Sequence, residues 1–376
     1  MIDTPAPSHT PTPRKPTDSK LRKGWTTGAC AAAAAAAAYR ALGTGAFEDQ
    51  ITIRLPRGET PTFELTTRER GNGFARGGII KDAGDDPDVT HGLEIIAEVR
   101  PGPLGVGVSF AAGEGVGTVT LMGLPLPPGE PAINPGPRQQ ITDALHVVAC
   151  ELDGADAGVP DVKVTISIPG GLQASKKTMN SRLGIIGGLS VLGTTGIVVP
   201  FSCSSWIHSI HRGIDVARAQ GFPHVLAATG RTSEEAANAV LSLPDEALID
   251  MGDFAGGLLK YVRTHPVERL TIAGGFAKMV KMAQGAMDLH SSRSSIDFDK
   301  LAAALAQCGG DVNTLAAARL ANTAMHVLVL AGDRAPALAS LIARQAREVT
   351  LATLAGGTDV QIWVFDRAGN RIGEAS

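Results

Sequence analysis

Eight consecutive alanines, Ala31–Ala38, follow Ala29 and Cys30 in this chain. Alanine has the strongest helix propensity, and nothing in the run supplies a turn or a charge. Thr26 is placed to cap the start and Gly43 to end it, so the segment predicts a helix opening at Thr26-Thr27-Gly28. With almost no side chains on its surface, such a helix can pack very closely against a sheet.

The remaining composition fits a core of Ala, Val, Ile and Leu. Aromatics are 4% of the chain, and 45 glycines imply many tight turns. A length of 376 residues predicts about two domains. With 44% hydrophobic and 19% charged residues, global disorder is excluded. The formal net charge of -3 offers no broad basic field for duplex nucleic acid, while leaving room for a local basic cleft that takes an acidic small molecule. Cys30, Cys150, Cys203 and Cys308 are far apart and form no CxxC pair. They read as reduced thiols of a cytoplasmic protein, not as a disulfide framework or a structural zinc site.

Residues 1–20 hold five prolines and no apolar stretch, which predicts a disordered leader instead of a signal peptide. Leu183 to Ile207 lacks charge, but five glycines, two threonines and four serines argue for loops and a short strand over a membrane span.

Alternation predicts strands at Ile51–Leu55, Phe63–Thr66, Gly117–Leu121 and Val162–Ile168, with a helix over Arg138–Leu152. The first half therefore reads as an α+β domain over residues 21–193. In the second half, strands at Gly196–Pro200, His224–Ala228, Ala247–Met251 and Arg269–Ala273 alternate with helices at Ser204–Gln220, Ser233–Leu243 and Phe254–Thr264. That alternation predicts an α/β Rossmann-like domain with a parallel sheet over residues 194–376. Helices follow from Phe276 to about Ala355, then a last strand at Val360–Phe365.

In an open α/β sheet, ligands bind beyond the carboxyl ends of the strands. Here those ends carry Thr229-Gly230-Arg231, Gly252-Asp253 and Gly274-Gly275, small residues that let a ligand approach the backbone and the next helix N-terminus. They equally suit plain turns. No GxxxxGK[ST] element is present, which disfavours P-loop phosphoryl chemistry. Gly113-Glu114-Gly115-Val116-Gly117 runs into a strand, so it reads as a hairpin and not as a nucleotide fingerprint.

Asp85-Asp86-Pro87-Asp88, followed by Thr90 and His91, could hold a cation or, since crowding carboxylates raises at least one pKa, supply a general base. A solvated Asp-Pro turn has the same sequence. Lys176, Lys177, Thr178, Asn180 and Arg182 follow a Gly-rich connection and suit a polyanionic ligand, or simply a solvated face. Lys278 and Lys281 fall on one face of a helix, with Asp288, His290 and Arg293 downstream. His208 and His211 lack an identifiable third ligand, so no metal site is assigned.

These residues carry a resemblance. Leu21-Arg22-Lys23-Gly24-Trp25-Thr26-Thr27-Gly28-Ala29-Cys30 with its alanine run resembles the opening of the CbiD family. Lys81 to Gly92 is similar to that family's second signature, and Asn180 to Gly196 to its third. The three occur in family order, and the similarity extends from Leu21 to the C-terminal strand. Where family members carry Gly-His-x-Gly-Lys and Thr-His-Ser, this chain has Gly274-Gly275-Phe276-Ala277-Lys278 and Leu289-His290-Ser291. The lysine and His290 match; the first histidine and the threonine do not.

The resemblance implies methyl transfer from S-adenosylmethionine to C1 of cobalt-precorrin-5B, giving cobalt-precorrin-6A in the anaerobic route to cobalamin. Cobalt then belongs to the substrate. On that reading Thr229, Gly230, Gly252, Asp253, Gly274 and Gly275 cradle the methyl donor. Thr26, Thr27, Gly28, Lys176, Thr178, Asn180, Arg182, Thr194, Thr195, Lys278 and Lys281 contact the carboxylate-rich macrocycle. Asp86, Asp88 and His290 are the catalytic candidates. A methyl sulfonium is already activated, so alignment is the enzyme's main task. No nucleic-acid or membrane partner is expected, and a homo-oligomer stays open. The rival readings are a tetrapyrrole carrier without a donor site and a nucleotide-dependent phosphotransferase.

Overall fold

A computed structural model describes residues 21–376; the proline-rich leader expected at residues 1–20 lies outside them. The alanine run forms α1 (Thr27–Thr44), capped by Thr26, whose Oγ1 accepts the Ala29 N–H at 3.2 Å. Gly43 does not end it. A Cβ there would meet Leu152 at 2.7 Å, so this glycine serves a close helix contact. Gly45 closes the helix instead, at φ 85°, returning its N–H to the Ala41 carbonyl.

Against α1 stands a five-stranded sheet of β1 (Thr67–Gly71), β2 (Phe74–Ile80), β3 (Glu94–Pro101), β4 (Val108–Ala112) and, beyond α2 (Pro135–Asp153), β5 (Val162–Ser167). Its spatial order is β1-β2-β3-β5-β4, antiparallel except for the β5–β4 pair. The alanines of α1 are buried against this sheet and α2. At the contact with β2, a Cβ on Gly77 would lie 2.6 Å from the Ala34 carbonyl oxygen. Backbone rests nearly on backbone, as a bare helix permits. Short strands pair beside the main sheet, Gln50–Thr52 with Thr62–Glu64 and Thr118–Val119 with Ile185–Ile186.

Gly113–Gly117 is not the expected hairpin. It leads the chain out of the main sheet and is clasped by Ile168 N–H on Glu114 (2.7 Å) and Leu189 N–H on Gly115 (2.9 Å).

The second half contains α3 (Cys203–Ala219), β6 (His224–Ala228), α4 (Arg231–Leu241), β7 (Leu248–Asp250), α5 (Ala255–Thr264), β8 (Arg269–Gly275) and α6 (Phe276–Ala283). Helices α7 (Phe298–Gln307), α8 (Val312–Arg319), α9 (Ala324–Leu330) and α10 (Ala335–Leu354) follow, then β9 (Asp359–Phe365) and β10 (Arg371–Ala375). The sheet order is β7-β6-β8-β9-β10, parallel through β9. The antiparallel β10 extends the chain past the strand expected to be last.

The strand expected at Gly196–Pro200 does not join this sheet. Ile197–Val198 pairs antiparallel with Gly24–Trp25. Alternate strand residues pack into two clusters: Val225, Leu270 and Ile362 face α3, α5, α6 and α10, whereas Leu226, Ala273 and Trp363 face α4. The first half has its own cluster around α1. The molecule is thus a mixed α/β protein with several sheets. Among the described residues no single helix is long and apolar enough to cross a membrane.

Candidate active site

Three loops far apart in sequence meet at the N-terminus of α1. The Trp25 N–H donates to the Asp82 carbonyl (2.7 Å) and the Asp85 N–H to that of Arg22 (3.0 Å). From the other side, the Thr26 N–H donates to the Gly196 carbonyl (2.9 Å) and the Gly28 N–H to that of Leu192 (3.0 Å). Glycine makes the approach achievable: a Cβ on Gly24 would fall 2.0 Å from the Ala83 carbonyl carbon, and one on Gly193 2.3 Å from the Thr26 side chain. The Arg22 guanidinium grips both oxygens of Asp82, holding that carboxyl down at about 2.

In the acidic loop the two candidate aspartates have different surroundings. Lys81, only 2% exposed, donates to Asp88 and to the Thr90 hydroxyl. Thr90 in turn donates its N–H (2.8 Å) and hydroxyl (2.6 Å) to the other Asp88 oxygen. Burial alone would push the Asp88 carboxyl up, but Lys81 and Thr90 hold it below the usual range. Asp86 accepts one bond, from the Phe201 N–H at 2.8 Å. Phe201 is an exposed residue at φ 56°, just before the Ser202 cap of α3.

Many of the expected macrocycle contacts are already committed. Thr26 caps α1, while Thr27 and Gly28 are buried. Asn180 is buried and donates to the Gly188 carbonyl (3.1 Å). The Thr178 hydroxyl donates to Ser175 (2.7 Å), and Thr195 folds onto Ile197 (3.3 Å). Arg182 is bound to Glu234 of α4. Lys176 and Thr194 are exposed.

The strand-end residues form a second group. The Lys278 ammonium donates to the Thr229 carbonyl (2.7 Å) after β6 and lies 3.1 Å from Asp253 Oδ1 after β7. That oxygen is buried and has no well-aligned hydrogen bond. Gly274 lies so close to Thr229 that a Cβ would meet its hydroxyl at 2.8 Å. Gly230 and Gly275, by contrast, border open space. Gly252, at φ 55°, packs under the Trp206 ring. Leu289 ties the downstream loop to this group, its N–H donating to the Asp253 carbonyl (2.8 Å).

Lys281 does not share the exposure of Lys278. It is buried and donates to the Leu289 carbonyl (2.9 Å), because α6 packs that side into the body of the molecule. His290 is exposed, and its Nδ1 faces the Ser292 hydroxyl (2.7 Å) and N–H (3.2 Å).

Sequence reasoning missed three side chains here. Trp206 donates to the Asp250 carbonyl (3.1 Å). Glu234 is buried beneath Arg182. Asp250 ends β7 with its carboxyl pushed up by burial and by Glu234. A carboxylate closing a short apolar strand was the available signal for Asp250. Arg182, Arg231, Glu234 and Asp245 line a hollow of about 530 Å³ beside α4. Among the described residues no three or more His, Cys, Asp or Glu side chains are grouped to hold a metal ion.

Residues 14–200 match the family model described as CbiD, and residues 288–376 the one described as CbiD, C-terminal domain. The chain is 57% identical over 363 residues to the cobalt-precorrin-5B C(1)-methyltransferase of Brucella canis, covering 96% of this chain and 97% of that protein. The protein of the same name from Brucella anthropi is 56% identical over 362 residues, with the same coverage. A solved structure of the cobalamin biosynthesis protein cbiD from Archaeoglobus fulgidus is 28% identical. It covers 73% of this chain and 83% of that one, with a TM-score of 0.39.

Proposed function

This chain belongs to the CbiD family, and from that premise we infer that it methylates C1 of cobalt-precorrin-5B to give cobalt-precorrin-6A in anaerobic cobalamin biosynthesis. The observation that carries this is 57% identity over 96% of the chain to a cobalt-precorrin-5B C(1)-methyltransferase. Cobalt enters with the substrate.

The methyl donor in this reading is S-adenosylmethionine, whose sulfonium supplies an activated methyl group. Thr229, Gly230, Gly252, Asp253, Gly274 and Gly275 would hold it. Two features support that fit: the open space at Gly230 and Gly275, and the buried Asp253 oxygen that lacks an aligned donor. The order β7-β6-β8 with helices on both faces supports a Rossmann-like donor lobe. We divide the molecule into a substrate lobe and this donor lobe, with the boundary near residue 200 instead of 193, since Ile197–Val198 pairs with Gly24–Trp25. The four unpaired cysteines suit a cytoplasmic enzyme.

The macrocycle would lie across the seam, where the Asp86 loop meets Phe201 just before α3, with the exposed Lys176 and Thr194 as further contacts. There the chain's task is to orient the substrate carbon and exclude water. Asp88 is a poor proton acceptor, because Lys81 and Thr90 stabilise its charged form. Asp86 has an uncommitted oxygen beyond its bond to Phe201, and we assign it the orienting or proton-accepting role. His290 Nδ1 is turned to the Ser292 N–H, which leaves Nε2–H as a donor for a substrate carboxylate.

The test is anaerobic incubation with labelled S-adenosylmethionine and cobalt-precorrin-5B, followed by mass analysis of the corrinoid. One added, labelled methyl group is expected. Recovery of bound but unchanged substrate would replace this reading with that of a carrier.

A further inference from the structure

We propose that the Asp250 carboxylate accepts the hydroxyls of the methyl donor's ribose. This rests on the reading that the second lobe binds S-adenosylmethionine, and it adds a residue that determines how the donor is recognised.

The first argument is position. From β6 the chain passes through α4 to β7 on one flank, then crosses back through α5 to β8 on the other flank of β6, so the direction of winding reverses at β6. A crevice opens beyond the carboxyl ends at such a reversal. Asp250 is the last residue of β7 and stands in register with Ala228, the last residue of β6. It therefore stands beside the strand ends that lead into Gly230 and Gly275, where an added Cβ would meet nothing within 4 Å. In dinucleotide-binding sheets an acidic residue about 20 positions beyond the glycine turn takes the ribose hydroxyl. Asp250 occupies that place relative to Gly230.

The second argument is charge. The two cations near Asp250 are engaged elsewhere: Arg182 with Glu234, and Lys278 with the Thr229 carbonyl and Asp253. The Gly252 N–H stands beside the Asp250 carboxylate, and burial together with the Glu234 charge disfavours its ionised form. Such an under-solvated anion gains most from hydroxyl donors, which satisfy its lone pairs without displacing the existing ion pairs.

Calorimetric titration of the full chain separates the possibilities. The probes are S-adenosylhomocysteine, its 2′,3′-dideoxy counterpart, and 5′-methylthioadenosine, which keeps the ribose and lacks the amino-acid end. Wild type should bind S-adenosylhomocysteine about tenfold or more tightly than the dideoxy compound. Asp250→Asn should weaken S-adenosylhomocysteine and methylthioadenosine by similar factors and should no longer distinguish the dideoxy compound. Asp250→Ser, read the same way, serves if Asp250→Asn does not fold. Undiminished discrimination in the variant, or none in wild type, overturns the assignment. So does weakening of S-adenosylhomocysteine alone, which would point to the donor's ammonium group. Failure of wild type to bind any of the three overturns the donor reading itself.

Discussion

Arg182 holds Glu234 through two hydrogen bonds, of 2.8 and 2.6 Å, joining the loop before Ile185 to α4 in the other half of the molecule. Glu234 is 8% exposed, so losing its partner strands a buried carboxylate. Arg182→Met is expected to destabilise the protein by about 2 kcal/mol, below the range for fully buried pairs because Arg182 is partly solvated. Adding Glu234→Gln should restore part of that loss. Urea unfolding of the single and double variants measures both. A fully stable Arg182→Met would show that the pair contributes nothing to joining the halves.

Gly275 offers a cleaner probe of the proposed donor crevice. Its φ of -67° is open to any residue, and a Cβ there meets nothing within 4 Å. Gly275→Leu should therefore leave the melting temperature close to wild type. Its side chain would fill the space assigned to the donor, weakening S-adenosylhomocysteine about tenfold or more. Unchanged affinity would move the donor elsewhere.

The Arg22–Asp82 pair makes an expectation about acid. Asp82 falls from an ordinary 3.8 to about 2 in the folded protein. A depressed carboxyl contributes stability above its unfolded value, and that contribution is lost as pH falls from 3.8 toward 2. Asp82→Asn should flatten the stability profile in that window while hardly changing its shape near neutrality. The effect will be small, since both side chains are largely solvated. Unfolding curves between about pH 5 and pH 2 would show it.

Cysteine labelling tests the burial of α1. Cys30 is fully buried, and desolvation drives its thiol up to about 12. Cys203 is exposed at the start of α3. Iodoacetamide at neutral pH should modify Cys203 within the native protein and reach Cys30 only after denaturation. Peptide mass mapping reads the order, and early labelling of Cys30 would contradict the packing of α1.

The helix–sheet contact itself can be challenged. A valine at Gly77 would drive its side chain into the Ala34 carbonyl. Gly77→Val should cost at least about 2 kcal/mol, seen as a lowered urea midpoint. A tolerated valine would mean that α1 can slide off β2.

Periodic elements were legible because their signal is local. The alanine helix, the alternation of β5 and the strand–helix rhythm from β6 to β8 all declare themselves within a few residues. Partners distant in sequence did not. Nothing in Ile197–Val198 says that it pairs with Gly24–Trp25 instead of entering the parallel sheet. Gly43 and Gly45 look alike as helix stops until Leu152 is seen to occupy the space beside Gly43. The candidate site divided the same way. Residue types marked Asp86, Asp88, Arg182 and Lys281 as chemically interesting, but only packing showed Asp88 and Arg182 consumed by ion pairs and Lys281 buried. Asp250 was overlooked because the strand was read through Met251, which put this carboxylate inside the strand instead of at its end.

The loops around Thr26 are fastened by main-chain atoms at glycine contacts, with few side chains intervening. Their curvature is consequently rigid hardware, closed to gradual adjustment by point substitution. With the macrocycle placed as proposed, selectivity among related rings would be retuned from exposed peripheral positions such as Lys176 and Thr194. An engineer seeking altered ring preference should randomise that periphery and leave the glycine clasp untouched.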